Sequence, residues 1–130
     1  EFLEPDVVLF LHDQALREYG GVHGVKDEGL LQSALGRPVN KPGYNELGTL
    51  DLFDLAAAYA YGIASNHAFN DANKRTAWSC CVLFLKVNGV QLLFEAADVV
   101  ERVIQLVEGR SDEVGFAAWL RRSRAGDPQA

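Results

Sequence analysis

Basic charge is scarce in this chain. Twelve Lys and Arg stand against eighteen Asp and Glu, a formal net charge of −6. Nucleic-acid binders draw most of their affinity from Lys and Arg neutralising phosphates, so direct nucleic-acid binding is not expected. A local basic pocket for a few phosphates stays compatible with that balance. Cysteine is nearly missing as well: the two present are adjacent, Cys80 and Cys81, inside an apolar run. Neighbours on a helix point about 100° apart, and a bridge between them would strain the backbone. They read as small buried hydrophobes of a reducing compartment, a reactive thiol pair being the lesser alternative. Long apolar runs are lacking too. Leu55 to Ala64 and Ala77 to Leu85 are too short to cross a bilayer, so no membrane association is expected. The start, Glu1-Phe2-Leu3-Glu4-Pro5, is acidic where a secretory signal needs basic residues. The cytoplasm is the expected compartment.

What the chain does have is an ordinary globular balance, 48% hydrophobic and 23% charged over 130 residues. That length suits one domain, which needs neither disulfide nor metal to fold. Apolar residues recur at helical spacing. Val7, Val8, Leu11, Ala15 and Leu16 mark a first helix that opens at Glu4-Pro5-Asp6 and stops at Gly20-Gly21. Asp27 caps a second helix, which ends at Gly36 and Pro38. Residues 36–49 hold three glycines and two prolines and read as an irregular loop or short hairpin. Asp51 to Ser65 is strongly helical. Lys74 to Val87 is apolar nearly all round and is expected to be the most enclosed helix, ended by Asn88-Gly89. Val90 to Phe94 reads as a short extended piece. Ala96 to Glu108 and Asp112 to Arg124 give two further helices, the last capped by Ser111. The expected fold is all-α: one compact bundle of about six helices over residues 1–124, with a frayed tail at 125–130.

The segment joining the two most apolar helices is the unusual one: His67-Ala68-Phe69-Asn70-Asp71-Ala72-Asn73-Lys74-Arg75. A helix connection needs a cap and a turn. This one brings an imidazole, a carboxylate, two amides, an ammonium and a guanidinium to one helix N-terminus. Unpaired N–H groups and the helix dipole favour an anion there. Lys74 and Arg75 add donors suited to phosphate oxygens. Asp71 is a hard oxygen ligand of the kind that holds Mg²⁺ together with nucleotide phosphates. His67 can take a proton near neutral pH, and Phe69 serves as an apolar peg. Each residue alone is more often a cap or a solvated charge. However, first-turn Lys and Arg oppose the dipole, and a bound anion accounts for their placement.

The loop resembles the signature of the Fic/Doc superfamily, His-x-Phe-x-(Asp/Glu)-x-Asn-(Gly/Lys)-Arg. Lys74 in the variable position, followed by Thr76-Ala77, is similar to the Doc branch. Tyr19-Gly20-Gly21, Gly29 to Pro38, Asp51 to Ala57 and Leu83 to Gly89 resemble Doc segments in the same order. The resemblance implies ATP as co-substrate with Mg²⁺. It makes His67 the catalytic base and Asp71 the metal ligand. Asn73, Lys74, Arg75 and Asn70 fall among the nucleotide- and phosphate-binding group, with Asn70 chiefly shaping the loop. Fic enzymes usually transfer AMP, and their motif ends in two arginines three apart. Here Lys74 replaces the glycine and Trp78 stands at the second arginine. Similarity to Doc implies instead a kinase toxin acting on a threonine of elongation factor Tu. A protein adenylyltransferase and a catalytically silent antitoxin-binding module are the alternatives. The self-inhibiting pattern (Ser/Thr)-x-x-x-Glu-(Gly/Asn) is not met: Glu108-Gly109 has Ile104 four places earlier, and no other Glu before Gly or Asn has Ser or Thr at that offset. Inhibition in trans by a Phd-like antitoxin is therefore expected, its helix lying on exposed apolar surface. Residues 36–49 lie where the family carries its target-docking flap.

Other residues read as structural. His12 and His23 have no ligand-like spacing, and Asp13, Arg17 and Glu18 form a solvated face. Arg121, Arg122 and Arg124 complement a helix dipole. Trp78 and Trp119 belong to the core.

Overall fold

The computed structural model describes residues 2–40 and 51–125. Among these the chain forms six α-helices and no strand longer than an isolated bridge. They are α1 (Pro5–Tyr19), α2 (Glu28–Val39), α3 (Leu52–Asn66), α4 (Asn73–Val87), α5 (Ala96–Val107) and α6 (Glu113–Arg122). The all-α expectation holds. Residues 41–49 of the segment expected to be a loop or hairpin lie outside the described residues, as do residues 126–130 of the tail.

The starts of the helices follow from local chemistry. Pro5 sits in the first turn of α1, where its missing N–H costs nothing. Asp27 Oδ1 accepts from Leu30 N at 3.0 Å. Asp51 and Asp54 form a reciprocal capping box at 3.0 and 3.1 Å. For α6 the cap is Asp112, whose Oδ1 accepts from Gly115 N at 2.8 Å. The expected cap, Ser111, is displaced from that role because Asp112 holds the extended backbone and the shorter reach to the third helical N–H.

The core is built on α3. Its face is Phe53, Leu55 to Ala60, Ile63 and Ala64, all buried. The small side chains let α2 approach closely: a Cβ at Gly62 would stand 3.2 Å from the Ala34 carbonyl oxygen. The most enclosed helix is thus α3 and not α4, with ten buried residues against six. Helix α4 is apolar enough, but its Trp78 and Ser79 flank an open cavity and Lys86 and Val87 reach solvent.

Helix α2 runs past its expected stop to Val39, with Pro38 inside it. Pro38 is buried, and that packing offsets the lost donor until Asn40 ends the helix on Gly36 O at 2.9 Å. The extended piece after α4 is present: Leu92 bridges antiparallel to Arg124. Leu93 N donates to Ser123 O and Ala125 N to Gln91 O, both at 2.7 Å, so Ala125 is pinned.

Two of the expectations for single residues are refined, and the one for the cysteines holds. Arg121 does more than offset a dipole: it bonds Asp51 at 2.7 and 2.9 Å and Asp54 at 2.9 Å, tying α6 to the start of α3. Trp119 is core, whereas Trp78 is only half-buried. Cys80 and Cys81 are free and buried. Burial pushes the Cys80 thiol up to about 12 and Cys81 higher still, which leaves neither as a thiolate near neutral pH. No described helix is long and apolar enough to cross a membrane.

Candidate active site

Between α3 and α4 the backbone leaves the right-handed region twice. His67, at φ 53 and ψ 45, ends α3; Ala72, at φ 62 and ψ 26, precedes α4. They are the only non-glycine residues with positive φ among those described. Left-handed backbone costs an L-residue about 1–2 kcal/mol, so the surroundings must hold it.

The stretch from His12 to Asp27 does the holding, wrapped around the loop like a collar. Lys26 N and Asp27 N both donate to Ala68 O, at 2.7 and 3.1 Å, and Asn70 N donates to Gly24 O at 3.2 Å. Val25 bridges antiparallel to Phe69. Asn70 Nδ2 donates to His23 O at 3.1 Å. Val22 N donates to Asp71 Oδ2 at 3.3 Å, and His12 Nε2 lies 2.8 Å from Asp71 O. Phe69 is the expected peg, 1% exposed and stacked on the His12 ring at 3.8 Å between centroids.

The collar requires Gly21. Its φ is +131°, and a Cβ there would stand 2.9 Å from both Asp71 Oδ2 and Leu16 Cδ2.

All six sequence-predicted residues line one cavity of about 810 Å³: His67, Asn70, Asp71, Asn73, Lys74 and Arg75. They do not all face it in the same way. His67 is exposed and makes no hydrogen bond among the described residues, so its ring is available for proton transfer. Lys74 is likewise exposed. Asn73 closes on its own loop, accepting from Phe69 N at 3.2 Å and donating to Phe69 O at 3.1 Å. Arg75 donates to Ala15 O and Gly20 O, each at 3.3 Å, at the end of α1. Its guanidinium also lies 4.9 Å from the Tyr19 ring centre. Asn73, Asn70 and Arg75 therefore shape the site as much as they line it.

Helix α4 begins without a side-chain cap. The N–H groups of Asn73, Lys74 and Arg75 have no partner among the described residues. With the dipole behind them, they form a ready anion seat.

Asp71 supplies the opposite charge. Hydrogen bonds from Ala72 N at 2.9 Å and from Val22 N, helped by Arg75, hold its carboxyl below the ordinary carboxylate value. Each oxygen accepts one backbone hydrogen and keeps a lone pair for a cation. No three of His, Cys, Asp and Glu gather as a metal cage among the described residues. One ionised carboxylate beside an anion seat fits Mg²⁺ carried by a polyphosphate.

The cavity also has an apolar wall: Leu11, Trp78, Phe94, Val100, Val103 and Ile104. Trp78 meets Phe94 edge-on, with ring centres 5.2 Å apart. Neither this wall nor the collar was legible as part of the site. The Tyr19-Gly20-Gly21 segment was the one local signal for the collar.

Comparison with known proteins gives a family match. The model of the Fic/DOC family matches residues 2–85. The chain is 36% identical over 120 residues to "Protein kinase doc" of Escherichia phage P1, covering 92% of this chain and 93% of that protein. It is 42% identical over 92 residues to "Toxin Doc" of Mycolicibacterium smegmatis (strain ATCC 700084 / mc(2)155), covering 71% of this chain and 68% of that one. From its signature loop to its matched length, the chain belongs to the Fic/Doc family.

Proposed function

We propose that this chain is the toxin of a toxin–antitoxin system and acts as a protein kinase. It transfers the γ-phosphate of ATP to a threonine hydroxyl of a translation factor, elongation factor Tu. One observation carries the reading: an unpartnered His67, an ionised Asp71 and the open N-terminus of α4 surround one cavity. The names of the two relatives support the kinase and toxin parts. The target follows from the resemblance to Doc.

Each residue then has a task. The α4 N–H groups and Lys74 bind phosphate oxygens and stabilise the charge of the transferring group, the main requirement of phosphoryl transfer. Asn73 and Asn70 keep the loop in shape, and Arg75 ties α4 to α1 while adding positive potential. Asp71 would hold Mg²⁺, which neutralises charge on the phosphates when bound. His67 accepts the proton of the threonine hydroxyl as its oxygen bonds the γ-phosphorus. The bond from that phosphorus to the bridging oxygen breaks, and ADP leaves. Trp78 favours this chemistry over AMP transfer. It puts an indole into the apolar wall where the AMP-transferring pattern has a second arginine for the triphosphate.

A Phd-like antitoxin inhibits in trans by laying an apolar helix on that wall, where Phe94 and Val100 are 46% and 58% exposed.

The test supplies purified protein, Mg²⁺ and elongation factor Tu with ATP labelled on the α- or the γ-phosphate. Transfer of γ-label alone is the expected result. Transfer of α-label would replace the kinase reading by adenylyl transfer. Transfer of neither would leave a binding module.

A further inference from the structure

His12 sits on α1, 59 residues from Asp71 in sequence, and is 5% exposed. Its ring stacks on Phe69 of the signature loop at 11°, and Nε2 lies 2.8 Å from the Asp71 carbonyl oxygen in the same loop. A carbonyl oxygen only accepts, so Nε2 carries the proton and donates. We propose that His12 is a positioning residue for the transfer reaction, fixing the Asp71 carboxylate by clamping the peptide unit between Asp71 and Ala72. This inference rests on the reading of Asp71 as the carboxylate that serves a nucleotide-bound Mg²⁺.

That one peptide unit couples His12 and Asp71. Its oxygen accepts from His12, and its N–H, belonging to Ala72, donates to Asp71 Oδ1 at 2.9 Å. It also leads into the left-handed Ala72, which on its own would relax to right-handed backbone. If the His12 bond is lost, the peptide can rotate. Rotation swings the Ala72 N–H off the carboxylate and lets the side chain turn. The same motion shifts the first turn of α4, where the anion seat lies. Stacking on Phe69 keeps the imidazole from following. The second oxygen of Asp71 accepts one longer hydrogen bond, from Val22 N at 3.3 Å.

Three variants separate the hydrogen bond from the packing. His12→Phe keeps a flat ring against Phe69 and removes the donor. His12→Gln restores a donor without the ring, and Asp71→Asn removes the carboxylate charge. Wild type and variants are compared by melting temperature, by γ-label transfer and by calorimetric affinity for a non-hydrolysable ATP analogue with and without Mg²⁺. His12→Phe is expected to lower kcat about 10–100-fold, the size usual for a group that orients a metal-binding side chain. It is also expected to weaken Mg²⁺-dependent analogue binding about tenfold while affinity without Mg²⁺ changes little. His12→Gln recovers most of both. The Mg²⁺-dependent losses of His12→Phe and Asp71→Asn do not add in the double variant, because both act through one carboxylate.

His12→Phe binding and transferring as wild type does would overturn the proposal. So would additive binding losses, or a Gln variant no better than Phe. A loss in His12→Phe equal with and without Mg²⁺ would mean a packing role and equally overturn it. Failure of the functional reading looks different: wild type itself transfers no label from ATP, and Mg²⁺ has no effect on analogue binding in any variant.

Discussion

His67 and Ala72 close the two ends of one loop with the same left-handed backbone, at φ 53 and φ 62. Neither is a glycine, so each conformation is held by its surroundings against a cost of about 1–2 kcal/mol. At the first end the turn lifts an exposed imidazole clear of α3. At the second it leaves α4 with no side-chain cap. Strain at both ends thus brings an exposed imidazole and an uncapped helix N-terminus to the same cavity.

The collar that holds this loop depends on Gly21. Gly21→Ala places a methyl 2.9 Å from Asp71 Oδ2 at a φ of +131°. The expected outcome is a loss of roughly 1–3 kcal/mol in stability by denaturant titration. A higher Mg²⁺ requirement for transfer should accompany it. An unchanged melt and an unchanged Mg²⁺ requirement would show that the contact with Asp71 has no consequence.

Lys74 and Arg75 are neighbours with different duties. Lys74 is exposed, whereas Arg75 ties the end of α1 through Ala15 O and Gly20 O. Lys74→Ala should raise KM for ATP or lower kcat about tenfold or more, with no change in melting temperature, since it removes a phosphate contact alone. Arg75→Ala should lower both activity and stability, the latter by about 1 kcal/mol. Equal thermal effects in the two variants would contradict this division.

The ion pairs of Arg121 predict a pH and salt dependence of stability. Burial works to raise the Asp51 carboxyl, yet the hydrogen bonds from Arg121 and Asp54 N outweigh it and hold the group below its ordinary value of 3.8. A depressed folded value means that the contribution is present above the ordinary value and is lost as pH falls through the lower one. Arg121→Ala should therefore cost about 1 kcal/mol or less at neutral pH, because the pair is partly exposed and screened by solvent. The difference from wild type should shrink below pH 3.8 and in high salt. Melting curves across pH that run parallel would contradict the assignment.

Much of this was readable from local sequence, and the misses share a cause. The loop from His67 to Arg75 is contiguous, so its chemistry was visible as a string. Helix spans follow from spacing and caps, which are also local. His12 and Val22 meet Asp71 across separations of 59 and 49 residues, and no spacing rule reports such a contact. Pro38 reads as a breaker, and burial overrides it. Ser111 and Asp112 are adjacent candidate caps, and backbone geometry chooses between them. The excess enclosure of α3 over α4 depends on a cavity that no one helix defines.

Whether His67 removes a proton from the acceptor hydroxyl is decided by one rate. His67→Ala changes an exposed residue, so fold and melting temperature should be kept. Its initial rate of γ-label transfer from ATP to elongation factor Tu should fall at least about 10²-fold, as loss of a general base does. A variant that melts as wild type does and transfers label at the wild-type rate would contradict the account.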